Sequence, residues 1–126
     1  MDQPRIVRNE TTSEYFFEEG CYITEWWNSP DDEQASVARA RVEPGVTTRL
    51  HCLHGVTERY VILQGKGGVE VGGLAPEEVG PGDVVIVPPG TSQRITNPGN
   101  SALIFLAICT PRFTRGVYED LDAEAG

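Results

Sequence analysis

Residues 45–65 read GVTTRLHCLHGVTERYVILQG, and residues 82–97 read GDVVIVPPGTSQRITN. In the first stretch, Gly45, His51, His54, Glu58 and Gly65 are separated by five, two, three and six residues. In the second, Gly82, Pro88, Gly90, Gln93 and Asn97 are separated by five, one, two and three. Gly and Pro are the residues a chain needs where it turns sharply, and here they bracket short runs rich in β-formers. Those runs are residues 58–63, 69–71, 83–87 and 93–96. Outward from them lie residues 22–27, 37–42 and 102–109, each stopped by a cluster of Gly, Pro, Asn or Asp. Turns recur every ~8–12 residues, and no amphipathic helical period interrupts them. The chain is therefore all-β, a sandwich or a barrel.

Strand alternation then sorts the side chains. His51 and Leu53 share one face with Cys52 on the other, Glu58, Tyr60 and Ile62 share a face, and so do Gln93 and Ile95. Arg59 and Arg94 follow inward positions and are expected outside, in surface ion pairs.

Together the two stretches resemble the paired motifs of the cupin superfamily, usually G-x5-H-x-H-x3-4-E-x6-G and G-x5-P-x-G-x2-H-x3-N. Every glycine, Pro88 and Asn97 fall in register, and the likeness runs from about residue 37 to 109. The flanking text is similar to small single-domain cupins often labelled mannose-6-phosphate isomerase-like. The resemblance implies one domain over residues 1–126, a double-stranded β-helix (jelly-roll) cupin barrel. Its core is expected at about 21–112, with an acidic N-terminal segment and a C-terminal tail. In that register His51, Leu53, Glu58, Tyr60 and Gln93 point into the barrel.

Cupins commonly hold a divalent metal with two His and a Glu from the first motif and a His from the second. Here His51 and Glu58 match, Leu53 occupies the second His position, and Gln93 replaces the last. His54 lies one residue past the Leu53 slot, in the turn before Gly55, and reaches inward only through a bulge or a tight bend. The implied ligands are His51, Glu58 and Gln93, with His54 as a further candidate. Imidazole, carboxylate and amide donors suit Fe, Mn, Ni, Cu or Zn. The other reading of the same side chains is a hydrogen-bonded polar cluster without metal, and the sequence leaves both open.

The resemblance implies a metal-dependent enzyme on a small polar or anionic metabolite, by isomerisation, cyclisation, decarboxylation or dioxygenation. Fold alone does not select among these. Glu58 and Tyr60 are the catalytic candidates, Tyr60 as a general acid or a substrate hydrogen bond, or else as a core tyrosine. Arg39 and Arg41 alternate on one strand face. They clamp an anionic substrate if that face lines the mouth, or they pair outward with acids of the N-terminal segment. A small-ligand-binding cupin without catalysis, its metal site eroded at Leu53 and Gln93, is the alternative function.

Charge and length exclude other classes. Of the net −9, residues 1–36 carry nine acids against two arginines, and residues 116–126 carry four acids and no base. Residues 37–115 hold six acids against eight bases. An acidic shell around a near-neutral middle is not a nucleic-acid surface. The longest apolar run has 8 residues, far below the ~20 that span a bilayer, and no signal peptide is visible. Three widely spaced cysteines, Cys21, Cys52 and Cys109, are no disulfide framework and suit a reducing cytoplasm. Residues 13–27 hold Tyr15, Phe16, Phe17, Tyr22, Ile23, Trp26 and Trp27, more than one edge strand buries alone. A homodimer packed through this segment is the expectation.

Overall fold

A computed structural model describes residues 3–9 and 13–122. The remaining positions of the two expected loose ends lie outside the described residues, and residues 4–9 form no regular element. Eleven strands make two antiparallel sheets, with no α-helix among the described residues. They are β1 Tyr15–Phe17, β2 Cys21–Trp27, β3 Ser36–Val42, β4 His51–Leu53, β5 Thr57–Gln64, β6 Gly67–Val71, β7 Glu77–Val79, β8 Val84–Val87, β9 Gln93–Thr96, β10 Leu103–Thr110 and β11 Tyr118–Asp120. One sheet runs β1-β2-β3-β10-β5-β8 and the other β11-β4-β9-β6-β7. Neighbours such as β3 and β10, or β4 and β9, are distant in sequence, and such crossovers wrap the two sheets into the jelly roll. No helix among the described residues is long and apolar enough to cross a membrane.

The core follows the period-two reading. On β5, Glu58, Tyr60 and Ile62 are buried between the less buried Thr57, Arg59 and Val61. From β3, β8 and β10 come Ala40, Val42, Val85, Val87, Leu103 and Phe105, and from the facing sheet Val69 and Ile95. Arg94 pairs outside with Glu70 at 2.8 Å, and Arg59 donates to Thr110 Oγ1. Asn97, the last residue of the second motif, is structural. Fully buried, its amide donates to the carbonyls of Val42 (2.9 Å) and Ser101 (2.8 Å) while its oxygen accepts from Gly99 N. A buried amide with three partners fixes the turn into β10.

Two strands fall outside residues 21–112. β1 extends the first sheet from β2, and β11 pairs with β4 at the edge of the second. Within one chain the N-terminal aromatics divide. Phe17 enters the core, Tyr22 lies beneath Arg41, and Phe16 remains 60% exposed. Cys21, Cys52 and Cys109 are all buried and unpaired as thiols.

Candidate functional site

Three turns assemble the site. Gly90, at φ 74°, donates its N–H to the Leu53 carbonyl, docking the turn before β9 onto β4. That contact sets His51 directly opposite Gln93 across the strands. Thr57, two residues past Gly55, starts β5 and carries Glu58 and Tyr60 inward. The third turn was not anticipated. Gly20, at φ 110°, closes the β1–β2 hairpin, and Arg49 N–H holds the Glu19 carbonyl at 2.8 Å. Pinned there, Glu19 turns its side chain into the barrel.

His51, Glu58, Tyr60 and Gln93 are all buried, as expected. The His51 Nδ1 lies 2.8 Å from the Arg49 carbonyl. A carbonyl only accepts, so Nδ1 carries the proton and Nε2 keeps a lone pair facing inward. Burial lowers the His51 pKa, so the ring is neutral. Its Nε2 lies 3.5 Å from Glu19 Oε1. Two ligands held ~2.1 Å from one ion stand about 3.0–3.4 Å apart, so this pair is nearly at the separation that a shared cation sets. The Tyr118 ring stacks on His51 at 5.1 Å.

Burial pushes both carboxyls up to about 7, desolvation outweighing the hydrogen bond from Cys21 Sγ at Glu19, and desolvation and then the proximity of Glu19 acting at Glu58. His51 offsets this only in part at Glu58. Glu58 Oε1 and Gln93 Nε2 are buried without a hydrogen-bond partner. Tyr60 donates its hydroxyl to Gln93 Oε1, and burial raises its pKa well above the ordinary range. Beside them a cavity of about 70 Å3 is lined by Phe17, Glu19, Glu58, Tyr60, Phe105 and Cys109, among others. Such a volume admits only a handful of non-hydrogen atoms.

His54, Arg39 and Arg41 are not brought to this interior. β4 ends at Leu53, and the turn through Gly55 (φ 72°) leaves the His54 side chain 60% exposed, 2.6 Å from Glu119 Oε1. Arg39 and Arg41 lie on the outer face of β3, because its buried positions are Ser36, Ala40 and Val42. Arg41 grips Glu14 with two nitrogens at 3.0 and 2.8 Å, and Arg39 reaches the same carboxylate at 3.5 Å. Leu53 packs with Val56 and Cys109.

The family model described as the Cupin domain matches residues 38–109, more than half of the chain. The chain belongs to the cupin family. An uncharacterised protein of Methanocaldococcus jannaschii is 34% identical over 87 residues, 69% of each chain. The oxalate-binding protein of Thermotoga maritima is 38% identical over 71 residues, 56% of this cupin and 58% of that protein. Among solved structures, a predicted oxalate decarboxylase of Thermotoga maritima superposes with a TM-score of 0.76 at 25% identity. That match covers 85% of this cupin and 99% of the other chain.

Glu19 and Tyr118 escaped the sequence reading. Glu18-Glu19-Gly20 reads as an exposed polar turn, and Tyr118 sits in an acidic tail. No local pattern reveals that either folds onto His51.

Proposed function

We propose that this cupin binds a divalent transition metal in the barrel and uses it on a small carboxylic acid. The observation that carries this reading is the pair of carboxyls, Glu58 buried and Glu19 with its side chain 13% exposed, set beside a neutral His51 and lining one cavity. Two carboxylates and an imidazole neutralise one divalent ion, and without it both groups retain protons near neutrality. The donor chemistry fits. His51 Nε2 is free to ligate, Glu58 Oε1 is unpartnered, and Gln93 supplies an amide. Glu19 replaces the imidazole that Leu53 does not provide. The metal would act as a Lewis acid toward the ligand's carboxylate. Tyr60 orients Gln93, while the cavity size favours a ligand of a few heavy atoms. The names of the Thermotoga maritima relatives support oxalate-like acids. Three free thiols, all buried, support a reducing, cytoplasmic location.

Manganese tests the site, because Mn2+ prefers oxygen and imidazole donors to sulfur. Titrated into metal-free protein, it is expected to bind near one equivalent. His51→Ala and the isosteric Glu58→Gln should each weaken that binding at least tenfold, the order expected for altering a metal site. Binding unchanged in both variants would overturn the assignment. Oxalate binding without any metal uptake would favour a metal-independent binder.

We also propose that two copies pair through the β5–β8 edge of the larger sheet's outer face, where Leu63, Val84 and Ile86 are 45, 55 and 63% exposed on neighbouring strands. Sedimentation at tens of micromolar should give a dimer, and Ile86→Lys a monomer. A parent chain that sediments as a monomer refutes the pairing.

A further inference from the structure

The outer face of β4 carries a second cluster of metal-ligating groups that the barrel site does not use. Cys52 and Glu119 are directly opposite one another where β4 and β11 pair, so both project from the same face of the sheet. His54 follows at the strand end, its backbone N–H held 2.8 Å from the Val117 carbonyl in the segment leading into β11. We propose that Cys52, His54 and Glu119 form a binding site for a zinc-class divalent cation.

The distances carry the argument. Cys52 Sγ lies 3.7 Å from His54 Nε2 and 3.7 Å from Glu119 Oε1. Around one tetrahedral ion, with a metal–sulfur bond near 2.3 Å and metal–nitrogen or metal–oxygen bonds near 2.1 Å, those edges are about 3.5 Å. Two of three edges are thus nearly in place. The third, His54 Nε2 to Glu119 Oε1, is a 2.6 Å hydrogen bond that must open to about 3.4 Å. Both partners are surface side chains, 60% and 52% exposed, so the movement is small and unobstructed.

Connectivity favours chelation over nucleophilic catalysis. In a Cys–His–Glu relay the carboxylate holds one imidazole nitrogen and the thiol the other. Here sulfur and carboxylate both approach Nε2, so all three donors converge on one point. On binding, the Cys52 S–H bond breaks, a sulfur–metal bond forms and that proton leaves to solvent, while the proton shared by His54 Nε2 and Glu119 moves to Nδ1 or to solvent so that the Nε2 lone pair can ligate. Thiolate and carboxylate then neutralise the ion. The donor set of sulfur, imidazole and carboxylate selects zinc-like ions over the harder ions suited to the barrel. The site would also clamp β11, a three-residue strand whose Tyr118 stacks on His51.

Cobalt(II) is the probe, since only a thiolate ligand gives it an intense near-ultraviolet charge-transfer band. Titration of reduced, metal-free full-length protein is expected to develop that band to one equivalent. Cys52→Ser should abolish it, and Glu119→Gln and His54→Ala should each weaken cobalt affinity about tenfold or more. The band should persist in Glu58→Gln, which separates this site from the barrel. The proposal fails if no thiolate band forms, if the band survives Cys52→Ser, or if Glu58→Gln removes it.

Discussion

Metal-free protein is expected to lose stability as the pH rises from about 4.5 to about 7, with Glu58→Gln removing much of the loss. Both carboxyls have ordinary values of 4.5 and are raised to about 7 in the folded chain. The folded state therefore holds their protons more tightly than the unfolded state does. Stability from that difference is complete below 4.5 and disappears as the pH passes through 7. One carboxyl crossing the whole window is worth on the order of 3 kcal/mol at about 1.4 kcal/mol per unit. The two repel each other, so the pair contributes less than twice this. His51 acts in the opposite direction: buried and neutral, it costs stability only below its ordinary 6.5. Glu14 and Glu70, held low by Arg41 and Arg94, are ionised throughout the window. Saturating Mn2+ should reverse the slope, because a cation that takes the place of the protons binds more tightly as they leave. Thermal melts across pH, with and without Mn2+, provide the check. Metal-free melts that are flat between 4.5 and 7, or the same in Glu58→Gln, would contradict the buried pair.

His51, Glu58, Tyr60 and Gln93 were legible because alternation and glycine spacing act locally. Once Gly45, Gly65, Gly82 and Gly90 fix the turns, a period of two decides which side chains enter the barrel. The face of β3 was a different problem. Alternation placed Arg39 and Arg41 together, but their outward direction follows from Ala40 and Val42 filling the core, and their partner is Glu14, more than twenty residues earlier. Glu19 was illegible for the same kind of reason. What turns it inward is the bond from Arg49 N–H to its carbonyl, a contact between distant segments. His54 was read as a candidate for the interior, whereas the end of β4 directs it outside. There it meets Glu119 on β11, and Tyr118-Glu119-Asp120 is too short and too polar to read as a strand. Local rules thus placed the barrel's buried polar side chains, and long-range contacts brought Glu19 and Tyr118 beside them.

Gly65→Ala is expected to cost at least about 3 kcal/mol and to unfold a large fraction of the chain. Gly65 closes the first motif, between β5 and β6, with φ at 85°. An L-residue there pays about 1–2 kcal/mol for the left-handed conformation alone. The second cost is particular to this turn. A Cβ would lie 2.7 Å from the Ala102 carbonyl oxygen and 3.1 Å from Leu103 Cα, both of them backbone atoms. No rotamer change relieves that contact, so the start of β10 must move. β10 pairs with both β3 and β5 and buries Leu103 and Phe105 in the core, so the displacement spreads through the larger sheet. Gly45→Ala is the matched control. It shares a positive φ of 80°, but a Cβ there meets nothing within 4 Å. It should cost only the left-handed strain, and the difference between the two variants in chemical denaturation isolates the close approach. Equal costs for the two would mean that backbone conformation alone, and not the packing of β10 against the turn, requires glycine at position 65.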